Sequence, residues 1–247
     1  MTAAVAVDNL TKVFGGVRAV DGVSLRVATG ERRALIGPNG AGKTTLFHCV
    51  TGTLQASSGS VKLFGTDITD LPEHRRTTLG IGRTFQITNV ITELSLAENV
   101  ALAIVGTDRR KWIWHRPLSA FPDIREHALA RLDSVGLKDR ADEPVQRLSY
   151  GERRQLELAL ALSSAPKVLF LDEPCAGLSA IERQRLFKMI GGLSRDITVV
   201  MIEHDMDVAL GLADRVTVMN RGRVMTEGTP AEVQSDTQVR DVYFGHV

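Results

Sequence analysis

The chain opens on short stretches of alternating apolar and polar residues. "AVAVD" and "GVSLRVA" alternate as half-buried strands do, and "ERRALIG" predicts a third strand that runs straight into a glycine-rich segment. "KTTLFHCVTG" has helical spacing and a stop at Gly52, and "GSVKLFGTDIT" returns to strand with a polar turn. From about Glu93 the period changes. "TELSLAENVALAIV" and "DIREHALARLDSVG" predict helices, the second with Ile124, Ala128, Leu132 and Val135 on one face and Gly136 as its C-terminal stop. Further on, "KVLFL", "TVVMIE" and "RVTVMN" are short apolar runs of the kind buried on both faces in parallel sheets. Helical stretches separate them, "SAIERQRLFKMIGGL" and "HDMDVALGLA", and "NRGR" predicts a hairpin turn into "VMTEG". The pattern is that of an α/β fold in one domain spanning 1–247: a parallel-sheet core in 1–87 and 168–247, an antiparallel β part at the start, and a helical lobe in 88–167.

Composition narrows the class. At 43% hydrophobic, the 247 residues carry enough apolar surface for a substantial core. The 30 basic and 29 acidic residues nearly cancel, and without a clustered basic excess no nucleic-acid partner is expected. The run Arg109, Arg110, Lys111 is short and reads as a solvated loop. Cys49 and Cys175 have neither metal-pair spacing nor the number for a disulfide framework, so both are expected as reduced thiols in the cytosol. No stretch nears about 18 apolar residues, and the start lacks the charged and apolar regions of a signal peptide. The chain is therefore expected not to span a membrane by itself, although it can dock on something that does.

Three segments carry chemistry. "GPNGAGKTT" comprises Gly37, Pro38, Asn39, Gly40, Ala41, Gly42, Lys43, Thr44 and Thr45, between a strand and a helix. That is the context in which glycines let backbone amides close on phosphates, a lysine reaches the β- and γ-phosphates, and a hydroxyl faces Mg²⁺. "KVLFLDEP" delivers Asp172 and Glu173 to the carboxyl edge of a strand, where such sheets bind ligands; Asp172 suits the Mg²⁺ shell and Glu173 the attacking water. "RLSYGERRQLEL" reads two ways. Ser149 and Glu152 have capping-box spacing, which a plain helix start would use, yet Gly151 leaves amides uncovered for an anion.

Taken together, these motifs make the chain resemble the nucleotide-binding subunits of ABC transporters, a P-loop NTPase family of ABC type, over nearly its whole length. The family's signature has the form L-S-G-G-Q; here it is Leu148, Ser149, Tyr150, Gly151, Glu152, with Tyr for the first Gly and Glu for Gln. The resemblance implies ATP and Mg²⁺ as cofactors, and a head-to-tail homodimer, or heterodimer with a similar ATPase subunit, in which Ser149 and Gly151 grip the partner's nucleotide. It further implies that Phe14 stacks on adenine, that Gln86 reaches Mg²⁺ and the γ-phosphate on a loop facing transmembrane permease subunits, and that His204 clamps the γ-phosphate and water. Catalysis would then fall to Glu173, His204, Lys43 and Gln86, with Thr44, Gln86 and Asp172 around the metal. The family's Gly-Leu-Asp element is Gly177, Leu178, Ser179, so communication between the two ATP sites is expected to differ.

Within the family, "FGGVRAVDGVSL", "GRTFQITNVITELSLAENV" and "GTPAEVQSDTQVRDVYFG" are similar to the ATPases of bacterial branched-chain amino-acid importers, peripheral on the cytoplasmic face of the inner membrane. Urea and lipopolysaccharide-export ATPases share much of this pattern. Soluble ABC mechanoproteins of repair or translation differ by a long coiled coil or a second cassette, and this chain has neither. The stretch "WIWHRPLSAF", holding Trp112 and Trp114, reads either as packing in the helical lobe or as a contact with the membrane subunit or lipid surface.

Overall fold

Strand alternation and turn chemistry build two sheets. The computed structural model describes residues 3–84, 90–107 and 121–239. In chain order the elements are β1 (Ala3–Phe14), β2 (Val17–Ala28), β3 (Arg32–Ile36), α1 (Lys43–Thr51), β4 (Ser58–Leu63), β5 (Thr66–Asp67), α2 (Glu73–Thr78) and β6 (Ile81–Arg83). Then come α3 (Leu96–Thr107), α4 (Pro122–Ser134), α5 (Tyr150–Ser163), β7 (Val168–Asp172), α6 (Ala180–Gly191), β8 (Thr198–Ile202), α7 (Met206–Leu212), β9 (Arg215–Asn220), β10 (Arg223–Gly228) and α8 (Pro230–Ser235). An antiparallel sheet is ordered β2-β1-β4-β5. The second is ordered β10-β9-β3-β8-β7-β6 and is parallel except for the β9–β10 hairpin.

All the strands and helices predicted from the pattern fall among these elements. Gly52 ends α1 at φ +91, its amide donating to the His48 carbonyl. In "NRGR", Arg221 and Gly222 both have positive φ, +47 and +81, as a two-residue hairpin turn of the primed type requires. Two helices were not anticipated. α2, "EHRRTT", is too short and polar to show a period. α8 had a readable signal, Pro230 at its first position and a Thr229/Glu232 capping box.

The larger sheet lies between two apolar cores because its strands are buried on both faces. Leu35, Val168, Phe170, Val200 and Ile202 face a core shared with α1 and the antiparallel sheet. Their neighbours Ala34, Ile36, Leu169, Leu171, Val199 and Met201 face a second core shared with α3 to α8. The expected apolar face of α4 is there, with Ile124, Ala128, Leu132 and Val135 buried in that second core.

Helix starts are fastened by the same local device four times. Capping boxes join Ser95 to Glu98, Ser149 to Glu152, Ser179 to Glu182 and Thr229 to Glu232. α1 is different: Gly42 precedes it at φ +96 and no side chain caps its first amides. Its other end is secured by Arg76, 2% exposed, whose guanidinium donates to the carbonyls of Cys49, Val50, Thr69 and Leu71 at 2.7–2.8 Å. The free thiols Cys49 and Cys175 are both buried. Among the described residues no helix is long and apolar enough to cross a membrane.

Candidate functional site

Register brings the chemical motifs to one edge. Leu35 of β3 pairs with Ile202 of β8, and Ile202 pairs with Asp172 of β7, so three parallel strands end side by side. The segments that leave them are the glycine loop Gly37–Gly42, the acidic pair Asp172–Glu173, and Glu203–His204.

The glycine loop needs its glycines. A Cβ on Gly37 would collide with the Met219 carbonyl and one on Gly42 with the Ala19 carbonyl. The loop is tied to its surroundings by backbone bonds from Ala41 N–H to Pro38 O and from Gly222 N–H to Ala41 O. Asn39 and Gly40 are exposed, Pro38, Thr44 and Thr45 half-buried, and Ala41 buried. Lys43 is 5% exposed, and its Nζ donates to the carbonyls of Gly37 at 2.6 Å and Pro38 at 3.1 Å. Burial pulls the Lys43 ammonium below its ordinary range, while Glu173 and Asp172 pull it back up. The lysine and both carboxylates therefore share one electrostatic neighbourhood.

Asp172 is 1% exposed, and neither carboxylate oxygen has a hydrogen-bond partner among the described residues. Burial raises its pKa, partly offset by Arg83. An orphaned, desolvated carboxylate beside a phosphate loop is a fitting ligand for a hard divalent cation. Its backbone N–H donates to Thr84 Oγ1 at 3.3 Å, so Thr84 holds the strand end in place. Glu173 adopts φ +47, a left-handed conformation that non-glycine residues take at a cost. Its N–H donates to Ile202 O at 3.0 Å, and its Oε1 lies 2.6 Å from His204 Nε2, where an Nε2–H donates to the carboxylate.

Phe14 is 45% exposed at the tip of the β1–β2 hairpin, with Lys12 Nζ 5.0 Å from its ring centroid. The same hairpin passes Ala19 against Gly42, which ties it to the phosphate loop. Ser149 and Gly151 are elsewhere. They line a small separate cavity of about 80 Å³ with Glu152, Gln155, Glu182 and Arg185. The predicted capping box at Ser149 is complete: its Oγ accepts from Glu152 N–H at 3.3 Å, and Glu152 Oε2 accepts from Ser149 N–H at 2.8 Å. Glu in place of Gln at 152 has a local reason, an ion pair with Arg140 that holds the carboxyl below its usual range. Gln86, Trp112 and Trp114 lie outside the described residues.

Two contributors went unread in the sequence. Thr84 lies in the stretch that leads to Gln86, but nothing in its type singled it out. Glu203 had a signal, a carboxylate ending an apolar run, and it is 2% exposed with a pKa pushed up to about 7 by burial. It accepts from Cys175 N–H at 3.2 Å and so spans the gap between the loop after β7 and the end of β8.

Comparison with known proteins matches residues 20–176 to the model of the ABC transporter domain, and residues 223–247 to that of a branched-chain amino acid ATP-binding cassette transporter. The high-affinity branched-chain amino acid transport ATP-binding protein BraF of Pseudomonas aeruginosa is 36% identical over 97% of this chain and 96% of its own. LivG of Escherichia coli, described in the same words, is 34% identical over 97% of each. Among solved structures, the ADP conformation of MJ1267, an ATP-binding cassette of an ABC transporter, superposes at a TM-score of 0.87 with 30% identity and full coverage of both chains. A dimeric post-hydrolysis state of the cassette MJ0796 bound to ADP and Pi superposes at 0.79 with 26% identity, covering 92% of this chain and 98% of that one.

Proposed function

The chain belongs to the ABC transporter family of ATP-binding subunits, and we propose that it hydrolyses ATP to drive import of branched-chain amino acids through separate permease subunits. The observation that carries the reading is the convergence of Lys43, Asp172, Glu173 and His204 at the ends of three adjacent strands, in a chain similar to BraF and LivG throughout. The nucleotide core is assigned to 1–87 and 168–247 and the helical lobe to 88–167. We assign the chain a peripheral position on the cytoplasmic face of the membrane, where its permease partners present themselves.

In this mechanism Phe14 stacks on the adenine, and the amides of Gly40 to Thr45 close around the phosphates with the uncapped start of α1 beneath them. Lys43 exchanges its loop carbonyls for β- and γ-phosphate oxygens. Asp172 and Thr44, together with Gln86, would hold Mg²⁺, whose charge offsets that of the phosphates when it is bound. Glu173 orients water toward the γ-phosphate, and His204, hydrogen-bonded to Glu173, fixes that carboxylate and reaches the same phosphate. The Ser149 oxygen accepts the cap bond, and its O–H also bonds the Glu152 carboxylate. In a head-to-tail dimer that O–H turns from Glu152 and the Gly151 amide from the Glu182 carboxylate it bonds here, and both donate to the partner's γ-phosphate; the dimeric cassette among the structural relatives supports the pairing of two such chains. A cavity of about 490 Å³ between α2, β6, α3 and α5 includes Thr84 in its wall, two residues before Gln86, and offers the permease a seat.

The test is Glu173→Gln. The variant is expected to bind ATP, accumulate as a closed dimer, and hydrolyse about 10²–10⁴-fold more slowly. Turnover at the parental rate would remove Glu173 from the chemistry.

A further inference from the structure

Tyr150 stands where the family's signature has glycine, and its contacts give the ring a task. Its hydroxyl donates to the Ala176 carbonyl at 3.2 Å, across 26 residues of chain. The same oxygen accepts from Arg154 Nε at 3.2 Å and Nη2 at 2.9 Å. Arg154 in turn donates through Nη1 to Glu157 Oε2 at 2.9 Å, and the side chains of this pair are only 10% and 7% exposed. Tyr150, Arg154 and Glu157 thus stack along one face of α5 at helical spacing. The guanidinium folds back over the phenol, 5.3 Å from its centroid. On the other side the ring lies against Gly177, which has φ +74 and where a Cβ would come 3.2 Å from Tyr150 Cε1. Tyr150 is half exposed, yet its phenol is held by two donors and one acceptor, with the arginine beneath it paired to a buried carboxylate, so the ring bridges the two segments.

The brace joins two segments that act in different places. Tyr150 lies between Ser149 and Gly151, and Ala176–Gly177 follow Glu173 by three and four residues. We propose that Tyr150 is a positioning residue that couples the two nucleotide sites of the dimer, fixing the signature turn to the loop that carries the catalytic carboxylate, in the role left open by Ser179. A shift of Ser149 and Gly151 toward one ATP then moves the backbone behind Glu173, which serves the other. The proposal rests on the ATPase reading above.

The test is Tyr150→Phe in the full-length chain, measured beside the parent. Removing one oxygen keeps the ring on Gly177 but releases Ala176 and both Arg154 donors. Amide exchange at Ala176 and Leu178 is expected to quicken about fivefold or more, the scale of one lost hydrogen bond. The Hill coefficient for ATP hydrolysis is expected to fall from about 2 toward 1, with kcat lowered and KM little changed. Parental cooperativity in the variant overturns the proposal, whether or not exchange changes, because a merely structural brace alters exchange alone. A parent with no ATP turnover fails the ATPase reading instead; in that case unchanged exchange at Ala176 and Leu178 still overturns the brace.

Discussion

Single residues at the strand edge carry opposed electrostatic burdens. Asp172 is buried without a partner among the described residues, whereas Glu203 is buried with bonds from the Cys175 amide and thiol and from the His204 amide. Glu203 makes a pH prediction. Its unfolded reference is 4.5 and its folded pKa about 7, so between those values the folded chain holds a proton that the unfolded chain has lost. The associated stability is fully present below pH 4.5 and disappears as pH rises through 7. Glu203→Gln cannot ionise, so its stability relative to the parent is expected to improve by on the order of 3 kcal/mol between pH 4 and pH 8. Chemical denaturation at the two pH values checks it, and a pH-independent difference would mean that Glu203 titrates alike in the folded and unfolded chain. The residues that depart from the family's signature and Gly-Leu-Asp element also have local accounts. Glu152 pairs with Arg140, Tyr150 braces Ala176, and Ser179 caps α6 through Glu182, whose carboxyl is kept below its ordinary range by the Ser179 hydroxyl and amide and then by the Gly151 amide.

At the scale of elements, legibility followed the physics of each segment. Buried parallel strands announce themselves because both faces need apolar residues, and β7, β8 and β9 were readable for that reason. α1 and α4 showed both period and stop, at Gly52 and Gly136. α2 was illegible because its place comes from one side chain, Arg76, that reaches away from it to the end of α1. The glycine loop, the acidic pair and the capped serine turn were equally plain, since each depends on neighbours in sequence. Thr84 and Glu203 were not, since what matters about them is the strand next door. Arg76→Met should therefore strand four carbonyls and cost about 3 kcal/mol or more, seen as a lower urea midpoint with an unchanged slope. A loss below about 0.5 kcal/mol would mean that water replaces the guanidinium there.

For the whole molecule, the proposed roles of Ser149 and Gly151, apart from the glycine loop, make a prediction about the stoichiometry of action. If each ATP needs the loop of one chain and the serine turn of another, activity per chain must rise with protein concentration before it levels off. A flat specific activity over a hundredfold dilution, in chain free of its permease, would place the whole reaction within one subunit. The open start of α1 has a different consequence. That helix is anchored behind by Arg76 and has no side-chain cap in front, so a bound phosphate would add to its cohesion. On the proposed ATPase reading, nucleotide is then a folding partner as well as a fuel. At a hundred times its dissociation constant it adds about 2.7 kcal/mol of resistance to unfolding, and a starved cell would hold a softer protein than a fed one.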